Sequence, residues 1–222
     1  MQTITDQLVA LAEGEFIKQP EVGDSTGQWS MFNDGGIECE TGEMLYAFIR
    51  ELKPANVLET GTHRGVGAAY MGSALKHNGF GNLETIEFLP EHYIYSRGLI
   101  EKLGLSRQVT CIEMDVADFI AGLAEQKQYD LVLLDTEPQT RFQELIDIYP
   151  HVEPGGYIFI HDLHRHMHQI PNEEHGFAWP YGELPKQIKQ FVKQGKLRAF
   201  HFGTPRGLTM FYKPHSGDYK WS

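Results

Sequence analysis

The stretch from Val57 to Gly67, VLETGTHRGVG, constrains this chain more than any other. Val57 and Leu58 end a short apolar run with the character of a buried strand, and Glu59 closes it with a carboxylate. Gly61, Gly65 and Gly67 then make a loop, after which Ala68, Ala69, Met71, Ala74 and Leu75 recur at helical spacing. Strand, glycine turn and helix form the phosphate- or nucleoside-holding corner of a doubly wound α/β sheet. Glycine suits such a loop because it adopts backbone angles that other residues avoid and lets a ligand touch the main chain.

The spacing narrows the ligand. A dinucleotide fingerprint needs G-x-G-x-x-G, but the residue two after Gly61 is His63. A phosphate-binding P-loop needs Lys followed by Ser or Thr, and this loop has neither. What remains is E-x-G-x-x-x-G, which resembles motif I of the class I S-adenosylmethionine (SAM)-dependent methyltransferases. The resemblance implies that Glu59 helps hold the methionine ammonium. It also implies that Gly61, Gly65 and Gly67 admit the rest of the cofactor, with Thr62 and His63 of the same loop beside it. A generic βα turn of another Rossmann-like enzyme, such as an NAD-linked oxidoreductase, is the alternative for this stretch taken alone.

Composition bounds the partners. A chain of 222 residues with 41% hydrophobic residues suits one α/β domain and a full core. Its formal net charge of −11 argues against a nucleic-acid backbone as main partner and favours a small molecule. Cys39 and Cys111 lie far apart without metal spacing, as expected in a reducing, cytoplasmic setting. No apolar run reaches the length of a membrane span, and the N-terminal MQTITDQLVALAEGEF lacks the basic start of a secretion signal. The expectation is a single domain over 1–222 with a helical or lid-like extension at about 1–40, with a homodimer as the assembly to test.

In that extension, Ile4, Leu8, Leu11 and Phe16 predict an amphipathic helix over Thr3–Lys18. Trp29, Met31 and Phe32 then sit in a polar loop, as in a lid or a docking patch. Thr41 is a plausible N-cap for a helix bearing Met44, Leu45, Phe48, Ile49 and Leu52. A second strand over Asn82–Glu87 ends in an acid placed to accept from ribose hydroxyls, and Phe88 follows where it can pack on an adenine face. A third strand, Gln108–Glu113, leads to Asp115, an N-cap for the next helix. DLVLLD, Asp130–Asp135, is an apolar run bounded by acids, typical of a central parallel strand covered on both faces. A fifth strand over Tyr157–His161 ends on His161 and Asp162.

The string YDLVLLDTEP…IYPHVEPGGYIFIHD and the earlier E-x-x-x-G-E-M-L layout resemble the small bacterial O-methyltransferases grouped with catechol and sugar O-methyltransferases. Together with motif I the match spans roughly Gly42–Asp162. It implies that Asp115 meets the adenine amino group, with Val116 against the ring. KLRAFHFG, a turn and Leu208–Tyr212 read as a terminal hairpin. The resemblance then predicts a Rossmann-like doubly wound α/β sheet of seven strands in the order 3-2-1-4-5-7-6, with helices on both faces.

Asp135 and Asp162 end neighbouring strands, so their carboxylates converge at the crevice where open α/β sheets bind ligands. With His161 or His164 they would make an oxygen-rich site suited to Mg²⁺ or another divalent cation. Asp135, His161 and Asp162 are the candidate catalytic residues, Asp135 also lies beside the cofactor, and Asp135, Asp162 and His164 are the candidate metal ligands. A metal-free site with His161 as general base is the rival. Catechol-type relatives carry an amide where Leu163 stands and a lysine where Pro138 stands, which weakens a catechol assignment. The leading expectation is O-methylation of a small hydroxylated molecule. The alternatives are the oxidoreductase and a catalytically silent SAM-binding module.

Overall fold

Hydrophobic side chains alternate between the two faces of the central strand β4 (Tyr129–Leu134): Leu131 and Leu133 join one core, Val132 and Leu134 the other, all fully buried. Such a strand is stable only in mid-sheet with helices on both sides. The computed structural model, which describes residues 3–11, 30–32, 36–137, 140–162, 186–204 and 206–216, shows this arrangement. The strands are β1 (Asn56–Thr60), β2 (Asn82–Glu87), β3 (Val109–Glu113), β4, β5 (Val152–His161), β6 (Arg198–Phe202) and β7 (Leu208–Tyr212). They lie in the order β3-β2-β1-β4-β5-β7-β6. β1 to β5 are parallel, and β7 runs antiparallel to both β5 and β6. This is the predicted order, terminal hairpin included.

The helices are α1 (Ile4–Leu11), α2 (Cys39–Leu52), α3 (Val66–Asn78), α4 (Pro90–Lys102), α5 (Val116–Ala121), α6 (Arg141–Ile148) and α7 (Lys186–Lys193). Ile4 and Leu8 of α1, Leu45 and Ile49 of α2, Ala68 to Leu75 of α3 and Ile100 of α4 fill one core. Ile120, Leu145, Ile148 and Ile188, from α5, α6 and α7, fill the other with Leu58, Ile86, Ile158 and Ile160.

Two boundaries differ from the sequence expectation. α2 starts at Cys39 with Glu38 as its N-cap, and Thr41 is fully buried inside the first turn. Glu38 makes no side-chain cap bond, because its carboxylate is used elsewhere. β5 begins at Val152 rather than Tyr157. Its early part holds Pro154, which has no N–H for a ladder. The register shift between Tyr129 and Leu131 accommodates it, and Gly155 N–H donates to the Lys213 carbonyl at 2.6 Å. Trp29, Pro138, Leu163, His164, His166, His168, His175, Phe177, Trp179 and Tyr181 lie outside the described residues, as do the continuation of the N-terminal helix and the first residues of the helix that Leu184, Ile188, Phe191 and Val192 predict over Glu183–Gln194.

Candidate active site

The glycine corner forms at the carboxyl end of β1. Gly61 has φ +78°, and a Cβ there would collide with the backbone of Asp135, so only glycine lets β1 and β4 approach at the crevice. Gly67 sits in the first turn of α3, where a side chain would strike Glu59 Oε1. The loop's N–H groups turn inward. Gly61 and Thr62 donate to the Ile86 carbonyl at 3.0 and 3.1 Å, Gly65 to the Thr62 carbonyl at 2.9 Å, and His63 to Glu87 Oε2 at 2.7 Å. A phosphate-binding loop needs such groups aimed at the ligand. Here they are used within the protein, which argues against a pyrophosphate in this corner.

Acids surround the same loop. Glu59 is 2% exposed and accepts from Thr85 Oγ1 at 2.5 Å, while Thr85 Oγ1 also hydrogen-bonds Thr62. Burial pushes the Glu59 carboxyl up to about 8 against the pull of the Thr85 bond, with the Asp135 and Glu87 charges adding to the rise. Glu87, at the end of β2, is 5% exposed and is oriented by the N–H groups of His63 and of Leu89, the latter at 2.9 Å. An anionic rim of this kind suits a ligand bearing an ammonium and a sulfonium, with ribose hydroxyls to donate. SAM is such a ligand. Glu59 and Asp135 would face its charged end, and Glu87 its ribose.

Beyond Glu87 the surface is apolar and open: Phe88 is 58% and Met114 43% exposed, at the ends of neighbouring strands. Asp115 caps α5, accepting through Oδ1 from Ala117 N at 2.8 Å and Asp118 N at 3.4 Å. Val116 is half-buried and packs onto the core beneath α5. His63 has a left-handed backbone, φ 49°, and its ring meets His92 edge-on at 4.4 Å between centroids. Burial, then the His92 and Arg64 charges, lower its pKa to about 4 and keep the imidazole neutral.

At the ends of β4 and β5 the structure brings Asp135, His161 and Asp162 together, with ligand-type atoms within 4.8 Å of one another. Three residues that the sequence reading did not select complete the cluster: Glu38, Arg141 and Arg206. His161 is fully buried between carboxylates, with Nε2 2.8 Å from Glu38 Oε2 and Nδ1 3.1 Å from Asp135 Oδ1. Arg141, 3% exposed on α6, reaches Asp162 Oδ2 at 3.0 Å, Asp135 Oδ1 at 3.2 Å and the His161 carbonyl at 2.6 Å. Arg206, in the β6–β7 turn, holds Asp162 through Nε at 2.5 Å and Nη2 at 3.0 Å, and donates to the Gly36 carbonyl at 2.6 Å. Burial opposes charge on His161, but Asp162, Glu38 and Asp135 outweigh it and raise the pKa to about 10. Burial likewise opposes charge on Glu38 and Asp162, yet both are held well below the carboxylate range, by His161 and then Arg206 at Glu38 and by Arg206, His161 and Arg141 at Asp162. Asp162 adopts a left-handed backbone, φ 58°, which these contacts maintain.

Both ring nitrogens of His161 face carboxylates in this geometry, so a general-base role for it would need one of these contacts to break. Among the three carboxylates of the cluster, Asp135 is the most open: its side chain is 13% exposed, against 7% for Asp162 and 0% for Glu38, while Arg206 is 15% exposed. Both recorded contacts of Asp135 are on Oδ1, so among the described residues Oδ2 has no protein partner. Glu144 of α6 steadies the floor, accepting from the hydroxyls of Thr60 at 2.8 Å, Thr136 at 2.5 Å and Thr140 at 2.9 Å. Signals for the missed residues existed. Glu38 is the first acid of the E-x-x-x-G-E-M-L layout, and Arg141 stands on the inward face of α6 beside Leu145 and Ile148. Arg206 in its turn carries no comparable mark.

Residues 58–163 match the family described as a methyltransferase domain. A Mycobacterium sp. (strain JLS) protein provisionally named an O-methyltransferase is 24% identical over 156 residues, 70% of each chain. Catechol O-methyltransferase B of Danio rerio is 30% identical over 111 residues, 49% of this chain and 40% of that one. Among solved structures, a methyltransferase of Podospora anserina bound to S-adenosylhomocysteine (SAH) superposes with TM-score 0.69 at 17% identity, covering 95% of this chain and 88% of the other, and shares the fold. The glycine corner, the strand order and the match over residues 58–163, just under half of the chain, agree in their likeness to the class I SAM-dependent methyltransferases.

Proposed function

We propose that the chain is an O-methyltransferase that moves the methyl group of SAM to the hydroxyl of a small molecule. The observation that carries this reading is Asp135: it stands at the end of β4 with its backbone against Gly61, its side chain is 13% exposed, and its Oδ1 is anchored by Arg141 and His161, leaving Oδ2 to meet a hydroxyl. The names of the relatives support oxygen as the acceptor atom. Glu59, Gly61, Thr62, His63, Gly65 and Gly67 would line the amino-acid end of SAM. Glu87 would take the ribose, and Phe88, Asp115 and Val116 the adenine. Bound SAM supplies a methyl group already activated on a sulfonium, so the protein's task is alignment and removal of one proton. Asp135 Oδ2 accepts the hydroxyl hydrogen and turns the oxygen toward the methyl carbon. His161 and Asp162 act behind Asp135, fixing its angle, and are positioning residues.

We read residues 1–222 as one domain in which the described segment just before α2 covers the site. In support, Phe32 and Glu38 are buried, and Gly36 is tied to Arg206. Among the described residues no helix is long and apolar enough to cross a membrane. The test is calorimetry with SAM and with NAD, then turnover on a panel of hydroxylated compounds. The reading expects SAM binding and methylated product. Binding of NAD but not SAM would refute it.

A further inference from the structure

We propose that this methyltransferase uses no divalent cation, because Arg141, Arg206 and His161 already hold the positive positions between Asp135, Asp162 and Glu38. The proposal rests on reading this crevice as the site of methyl transfer. Two carboxylates at the ends of adjacent strands need a cation or a proton between them, and spacing alone leaves a metal ion as one answer. The side chains supply another.

Mg²⁺, Mn²⁺ and Ca²⁺ bind through several free oxygens at about 2.0–2.6 Å. The oxygens here face protein cations. Asp162 Oδ2 receives Arg141 Nη1 and Arg206 Nη2, each at 3.0 Å. Asp162 Oδ1 and Glu38 Oε1 are buried without a hydrogen bond of good geometry, but both lie on the side of Arg206 Nε, at 2.5 and 3.8 Å. Asp135 Oδ1 lies between Arg141 Nη2 at 3.2 Å and His161 Nδ1 at 3.1 Å. His161 cannot serve as a ligand, since both ring nitrogens face carboxylates and a neutral imidazole could donate to only one of them. Glu38 Oε2 is held by His161, and Arg206 Nε lies 3.8 Å from Glu38 Oε1.

The fixed charges point the same way. Three carboxylates meet two guanidiniums, which do not deprotonate in proteins, and an imidazole with a carboxylate at each ring nitrogen. Adding a dication would leave this buried cluster with excess positive charge, a costly arrangement. Of the cluster's carboxylate oxygens, Asp135 Oδ2 alone has no cation beside it among the described residues, too little to hold a metal ion.

A consequence for substrate follows. Metal-assisted transfer to vicinal diols chelates two neighbouring oxygens. A hydroxyl held by Asp135 Oδ2 alone needs no neighbour, so a monohydroxylated acceptor serves as well as a vicinal diol of the same size.

The experiment is titration of the wild-type chain with Mn²⁺, read by the paramagnetic resonance of the free ion, with and without SAM. The expected result is no site tighter than about 1 mM, the weak end of protein cation sites. Methyl transfer should be unchanged in EDTA and change less than about threefold when Mg²⁺ is added, a difference under one kcal/mol. The double variant Arg141→Gln/Arg206→Gln should gain Mn²⁺ affinity by about tenfold or more, and Asp162→Asn added to it should remove the gain. Stoichiometric Mn²⁺ binding by the wild type, weakened by Asp162→Asn, would overturn the proposal, as would activity lost in EDTA and restored by Mg²⁺. The wild-type titration decides the matter even if the double variant does not fold. Failure to bind SAM would count against the methyltransferase reading instead and leave the Mn²⁺ result standing.

Discussion

His161 Nε2 lies 2.8 Å from Glu38 Oε2, and both side chains are fully buried although 123 positions separate them in the chain. The pair fastens the segment before α2 to the end of β5. Truncating one partner leaves the other as a buried charge, which costs about 3–5 kcal/mol. Glu38→Ala should therefore lower unfolding stability in urea by that order, with Glu38→Gln costing less because it keeps an acceptor for the ring N–H.

The same pair sets a pH dependence. The folded pKa of His161, raised to about 10 from 6.5, means that the folded chain holds a proton the unfolded chain has released. Its contribution is fully present below about 6.5 and disappears as pH rises through 10. Glu38→Gln removes one of the anions responsible, so this loss should be smaller and complete at lower pH. Urea unfolding across that range checks the shift.

Glu59 titrates with the same sign for a different reason. Burial keeps its carboxyl protonated up to about 8 in the folded chain, against 4.5 for the ordinary group. Between those values stability should fall as pH rises, because only the folded state retains the proton. Glu59→Gln should flatten that part of the profile. It should also weaken SAM binding, because the carboxyl can give up its proton when the ammonium arrives and an amide cannot. A mutant binding SAM as tightly as the wild type would remove Glu59 from the cofactor site.

Glu87 carries two roles, taking the N–H groups of His63 and Leu89 and facing the crevice. Glu87→Ala should weaken SAM binding by about 1.5–3 kcal/mol, the range for hydrogen bonds to a charged group. Equal affinity in the mutant by calorimetry would place the ribose elsewhere.

Gly61→Ala tests the close approach of β1 to β4. The residue needs φ +78° and has no room beside Asp135. A left-handed residue alone costs about 1–3 kcal/mol, and the collision adds to it. A variant with unchanged stability would show that the loop can move away from Asp135.

The fold was legible where periodicity and turn residues agree. DLVLLD reads as a doubly covered strand, and the tail KLRAFHFG to LTMFY as a hairpin, because their side chains face only local decisions about burial. The start of α2 was not legible, since Thr41 looks like a cap and Glu38 gains its role from His161, which joins it only on folding. The sequence reading asked for a positive partner between Asp135 and Asp162 and named a divalent cation; the structure places two guanidiniums there, from α6 and the β6–β7 turn. Arg141 could be suspected from its place on the inward face of α6, whereas no local pattern announces that Arg206 turns toward the same carboxylate.

Single-turnover transfer of labelled methyl from SAM to a monohydroxylated acceptor, run in EDTA, tests the central claim most directly. The account predicts methylated product from the wild type without added metal. It also predicts a rate about 10²–10⁴-fold lower in Asp135→Asn, the range for losing a positioned proton acceptor. Product formed equally well by Asp135→Asn, or only after Mg²⁺ is restored, would contradict it.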